Sequence, residues 1–199
     1  MSRKVFDILT STGGVVVVVV LVVAGGLLTW GHSYANSNVR SQLAQQQIVF
    51  PPAAAFAHPK AGTEITPSMI GTVSKYAGQP LLDGQQAKVY ANDFIAQHLA
   101  EMPFHGVYSK ISGAALANPN NAKLKGLEQA SFQGTTLRGL LLEAYGFWKM
   151  GQLMLWGAIA SFILAAVMSV LVGLGFWHSR HTTAEEPLLS PKAKVVPAA

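Results

Sequence analysis

Apolar positions crowd into two stretches where charge is absent. No Asp, Glu, Lys or Arg occurs across the 32 residues Ile8–Val39 or the 30 residues Met150–Ser179. A helix rises about 1.5 Å per residue, so about 20 apolar residues cross a hydrocarbon layer roughly 30 Å thick. Gly13–Gly31 therefore predicts a first membrane span, built on the valine run Val15–Val20 and edged by Trp30. Residues 150–177 predict a second, bracketed by Trp148 and Trp177 where amphipathic indoles favour the interface.

The 118 residues from His32 to Lys149 lack strand-like alternation and carry helical spacing instead. Ala35, Val39, Leu43 and Phe50 keep one side apolar, which predicts that the first helix continues beyond its span until Phe50-Pro51-Pro52 stops it. Residues 51–83 hold five of the ten prolines and predict a mostly irregular connection. Within it, Thr66-Pro67 predicts a capped short helix reaching about Tyr76. From Gln85 to Met102 the pattern is clearest, because Ala87, Ala91, Ile95 and Leu99, with Tyr90, Phe94, His98 and Met102, line one face before Pro103. Val107–Leu116 and Lys123–Phe132 predict two shorter helices separated by the turn Asn118-Pro119-Asn120-Asn121. After Gly134, Thr135 or Thr136 can cap a further helix whose stripe Leu137, Leu140, Leu141, Ala144 and Trp148 leads into the second span.

The fold class expected is thus an all-α membrane protein, two transmembrane helices extended into a small helical extracytoplasmic domain. Its segments are a cytoplasmic N-terminus (1–12), span one (13–31), the external domain (32–149), span two (150–177) and a tail (178–199) whose Ala, Pro, Glu and Lys without apolar period predict disorder. Arg3 and Lys4 precede the first span and the next positive charge is Arg40, so the positive-inside bias puts the N-terminus in the cytoplasm, and two spans return the C-terminus to the same side. Arg138 and Lys149 against Arg180 make the second span less decisive. A competing reading takes residues 1–35 as a cleaved signal with Ser33-Tyr34-Ala35 at the cut, but a signal core usually runs about 7–15 apolar residues and this one is longer.

Composition agrees with the membrane reading: 50 % of the 199 residues are hydrophobic and only 12 % charged. The absence of cysteine excludes disulfides, thiolate metal sites and a cysteine nucleophile. A net charge of +5, spread out, forms no basic stripe with interleaved aromatics, so no nucleic-acid partner is expected. Neither span holds an internal ionisable residue for a proton or ion path, and Lys149 at the end of the second can snorkel towards the interface near Glu143. The commoner phosphate-loop, nucleophile-elbow and H-E-x-x-H signatures are missing.

Two constellations remain. Gly157, Ser161, Ala165, Ser169 and Gly173 recur every four residues, and Gly25 and Gly26 offer small partners in the first span. Such a ridge lets backbones approach closely, either to join the chain's own spans or to dock another membrane protein or a second copy. His98, Glu101 and His105 have the composition of a two-histidine, one-carboxylate iron triad. Against that, Pro103 interrupts the helix before His105, and His98 sits in an apolar stripe where a hydrogen-bonded packing histidine is the simpler reading. No catalytic residue and no cofactor is assigned.

Ser11-Thr12-Gly13-Gly14, Ala24-Gly25-Gly26-Leu27-Leu28-Thr29-Trp30, Phe50-Pro51-Pro52, Tyr90-Ala91-Asn92-Asp93-Phe94-Ile95, and Thr136-Leu137-Arg138-Gly139-Leu140-Leu141-Leu142 with Ala144-Tyr145-Gly146-Phe147-Trp148-Lys149 resemble an uncharacterised family of two-span membrane proteins from actinobacteria. The resemblance reaches from near the N-terminus to about His178 and implies an actinobacterial plasma membrane. Some family members carry the label of aromatic-ring-opening dioxygenase, which would imply an iron site, and this chain offers only His98, Glu101 and His105 for it. The functional expectation is a non-catalytic accessory or scaffolding subunit of a membrane complex. The alternatives are a metal-dependent oxidoreductase of the ring-opening type and a module that senses or carries a lipid or small ligand.

Overall fold

A computed structural model describes residues 3–181. The chain is all-helical. Helix α1 spans Arg3–Gln46, α2 Gly84–Val89, α3 Ala96–Glu101, α4 Tyr108–Ala117 and α5 Ala122–His181. A π-helical segment, Tyr90–Ile95, joins α2 to α3, and single 3₁₀ turns occupy Ala53–Phe56, Pro67–Met69, Val73–Tyr76 and Pro103–Gly106. Helices α1 and α5 are both long and apolar enough to cross a membrane. The described residues divide into two units, a helix pair formed by residues 3–30 and 154–181, and a helical body, Gly31–Leu153.

In the helix pair, the less exposed positions of α1 include Lys4, Asp7, Ser11, Gly14, Val18, Leu21, Gly25 and Leu28, an alternation of three- and four-residue steps, with Ala24 beside Gly25. On α5 they include Ala158, Ser161, Ala165, Met168, Val172, Gly175 and Ser179, with the same alternation. A mean step of 3.5 residues is the spacing of left-handed helix pairing. The two segments run antiparallel, since Gly175 lies against Ser11, Gly14 against Val172, Gly25 against Phe162 and Gly157 against Leu28. The other faces of both helices expose Val, Leu, Ile, Phe and Trp side chains, the composition expected against lipid.

The helical body has a conventional core. Val39 and Leu43 of α1, Ala87 and Ala91 of the α2 region, and Leu141 of α5 close around Phe50, Met69 and Val73, which are 0–1 % exposed. The irregular connection is pinned by a short antiparallel clip in which Phe50 N–H donates to Gln79 O and Leu81 N–H to Ile48 O, both at 2.9 Å. Helix α2 begins with a capping box: Asp83 accepts from Gln86 N–H, and the Gln86 side chain accepts from Asp83 N–H. Gly84 fits directly beneath Trp148 of α5, and Lys88 lies 5.1 Å over the Tyr145 ring.

Four sequence expectations change. Helix α1 ends at Gln46, before the prolines, because Gln47 turns left-handed at φ 52° and terminates it first. The helix expected from Thr66 to Tyr76 is two 3₁₀ turns, broken by Gly71 at φ 81°, and Thr66 Oγ1 pairs with Ser68 instead of capping. The break expected around Gly134 is absent: α5 runs through it as one helix, and the missing Cβ makes room for Leu99, whose Cδ2 would lie 2.9 Å from a Cβ there. Helix α5 also extends through residues 178–181; the rest of the expected tail lies outside the described residues.

Candidate functional site

His98, Glu101 and His105 do not converge. His98 Nδ1 is 2.8 Å from Phe94 O one turn earlier, with its ring edge-on to Phe94 at 4.6 Å, while Glu101 accepts from Gly62 N–H at 3.2 Å. His105, exposed, places Nδ1 3.4 Å from Ala100 O. Among the described residues no three His, Asp or Glu side chains form a group able to hold a metal.

The small-residue ridge splits. Gly157 packs on Leu28, Ser161 is half-buried and Ala165 is 4 % exposed, all towards α1. Ser169 and Gly173 are exposed, with Ser169 Oγ returned to Ala165 O. Positions four apart drift about 40° per step around an α-helix, so a strict four-residue series enters a 3.5-residue seam and then leaves it. Gly25 is in the seam against the Phe162 ring; Gly26 faces open space. At one end of the pair, His178 Nε2 is 3.8 Å from Asp7 Oδ2, a pairing with net attraction only when the imidazole is protonated.

Three features of the body were not read from the sequence. The first is a left-handed turn before α4, where Phe104 (φ 56°), His105 (φ 55°) and Gly106 (φ 68°) follow one another. Left-handed backbone costs non-glycine residues roughly 1–2 kcal/mol each, and local anchors hold it here. A Cβ on Gly106 would sit 2.4 Å from Leu99 O, and the fully buried Ser131 donates to Gly106 O at 2.8 Å. The turn leaves Phe104 49 % exposed, and just after it Tyr108 meets Phe132 of α5 with ring centroids 5.6 Å apart.

The second is the π segment. It carries Asn92, whose Oδ1 accepts from Arg138 Nη2 at 3.0 Å, while the buried Arg138 Nε has no hydrogen-bond partner. Ala87, Ala91, Ile95 and Leu99 recur at intervals of four, a spacing that keeps to one side only if part of the helix is wound wider than an α-turn, and this was the available signal. Tyr90, also in this segment, packs edge-on to Phe50 at 5.2 Å, and burial, with the nearby Glu64 carboxylate second, raises its phenol above the usual value of 10.0.

The third is a groove of about 390 Å³ between the 38–46 part of α1 and the 137–147 part of α5. Its α1 wall carries the amides Asn38, Gln42 and Gln46 together with Val39 and Leu43, and its α5 wall carries Leu140, Leu141 and Phe147 with Glu143. Amides at four-residue intervals were visible in the sequence, but nothing local showed that they would face a leucine stripe one hundred residues away. No protein-family model, no curated protein and no solved structure matches this chain.

Proposed function

We propose that this protein is a non-catalytic accessory or scaffolding subunit of a plasma-membrane complex, with both termini cytoplasmic and the helical body held against a partner at the outer membrane surface. One observation carries the reading. The body closes a core around Phe50, Met69 and Val73, yet leaves Phe104, on a left-handed turn that costs backbone strain, and the contacting Tyr108 and Phe132 rings 39–51 % exposed. Exposed apolar surface of this kind marks protein contacts, and aromatic residues are enriched at such contacts. The lack of convergence among His98, Glu101 and His105 takes away the geometry on which the oxidoreductase reading rested.

The test is native mass spectrometry of the tagged chain, gently extracted from its own membrane, beside a Phe104→Asp/Tyr108→Asp variant. The expected result is a heteromeric mass that the variant loses while its helical circular dichroism is retained. A wild-type chain that flies alone, or a heteromer indifferent to both substitutions, refutes the reading.

A further inference from the structure

The α1–α5 groove has the chemistry of a small-molecule site, with apolar side chains on both walls and a single carboxylate to select a ligand. Leu140 and Phe147 are 58 % and 42 % exposed along one side, so water wets apolar surface that a narrow chain would cover. The α1 amides span eight residues, giving a slot about 12 Å long, and its volume falls at the lower end of ligand pockets. The one formal charge in the groove is negative. Gln42 donates one N–H to Asn38 Oδ1 and keeps its carbonyl oxygen as an acceptor, while the Asn38 NH₂ keeps its donors. Glu143 is the only charged residue lining the groove and has no ion-pair partner among the described residues.

We propose that this groove binds a slender amphiphile: an alkyl or similarly narrow apolar chain lying on Leu140 and Phe147, with an ammonium or other hydrogen-bond-donating head at Glu143 and Gln42. An anionic head is disfavoured by the same carboxylate. The site is separate from the Phe104–Phe132 patch and does not depend on the subunit reading.

The experiment uses the full chain in neutral-lipid nanodiscs with two photoreactive probes of equal chain length carrying a chain diazirine, one an alkylammonium and one an alkyl carboxylate. Labelled peptides are mapped by mass spectrometry, which separates groove labelling from simple partition into lipid. The expected result is that the ammonium probe labels residues 38–46 and 137–147 roughly fivefold more than the carboxylate, the scale of one partly exposed ion pair. Glu143→Gln should remove the preference while keeping the labelling, and Leu140→Trp, which fills the groove from its rim, should abolish the labelling with the helical circular dichroism unchanged. Equal labelling by both probes, or labelling confined to the two apolar runs, overturns the proposal. So does a native mass that falls from dimer to monomer on Leu140→Trp, since a second copy would then be the occupant.

Discussion

The helix pair and the helical body use the same two long helices and hold them together by opposite means. In the pair, small residues make room for the contacts, Gly14 for Val172, Gly25 for Phe162, Gly157 for Leu28 and Gly175 for Ser11, while most of the large side chains are exposed. In the body, a set of large side chains is packed inward, with Phe50, Met69, Val73 and Leu81 at 0–1 % exposure. The difference follows from the solvent each surface suits. Lipid tails are as apolar as leucine, so burying leucine between spans gains little, and close backbone approach supplies the attraction. Water penalises exposed apolar area at about 25 cal/mol per Å², so the body gains most from hiding its largest groups. Glycine therefore serves the two units differently: it admits the facing span in the pair, and one particular neighbour in the body, as at Gly84 under Trp148 and Gly106 against Leu99.

That contrast can be broken most forcefully in the body. Gly106→Val would demand a side chain at φ 68° and 2.4 Å from a backbone oxygen, so a loss of about 3 kcal/mol or more is expected. Denaturant unfolding of the detergent-solubilised chain should show it, while disulfide formation between Ser11→Cys and Gly175→Cys, otherwise unambiguous in a chain without cysteine, should persist. The pair comes next. Gly25→Leu would drive its side chain into the Phe162 ring, 2.8 Å from the first added carbon, at a cost of roughly 1–3 kcal/mol. Gly26→Leu, facing open space, should change stability by less than about 0.5 kcal/mol. The same double-cysteine pair should form its disulfide more slowly in the first variant and at the normal rate in the second; equal rates would mean that the seam is misassigned.

Smaller effects sharpen the account of the body. Ser131→Ala removes the hydrogen bond to Gly106 O and should cost about 1 kcal/mol, read as a lowered thermal midpoint with the pair's cross-link unaffected. The smallest is a pH effect. Because burial raises the Tyr90 phenol in the folded state, the unfolded chain loses this proton first. Its contribution is therefore complete below about pH 10, the unfolded value, and is lost as pH rises through the higher folded value. Tyr90→Phe should flatten that alkaline decline, and an unchanged slope would assign it to other groups.

Much of the architecture was legible along the chain because its causes are local. The absence of charge over Ile8–Val39 and Met150–Ser179 is enough to specify two membrane-compatible helices, and the stripe Ala35, Val39, Leu43 correctly marks a face that is buried. The helix before Pro103 was equally plain, since proline and an apolar period act on their own segment. What misled was punctuation with more than one use. Gly134 reads as a breaker, but a glycine inside a helix costs only about 1 kcal/mol, and here it gives Leu99 a place to pack. Thr66-Pro67 reads as a helix start, but the left-handed Gly71 a few residues on allows only single turns.

The candidate sites were less legible for the same reason in reverse. A four-residue ridge is visible in sequence, yet which of its members meet another helix depends on the 3.5-residue seam, a property of two helices at once. His98, Glu101 and His105 are near neighbours in number, and local backbone and ring contacts separate them. Sequence alone determined that this is a two-helix, membrane-compatible, cysteine-free chain with a helical insert, because hydropathy and proline act through each residue's own surroundings. Only the tertiary structure decided that a left-handed turn keeps Phe104 half exposed, and that the α1 amides and the α5 leucine stripe line one groove. Those arrangements join residues tens to a hundred positions apart, and packing, rather than local preference, sets which of them meet.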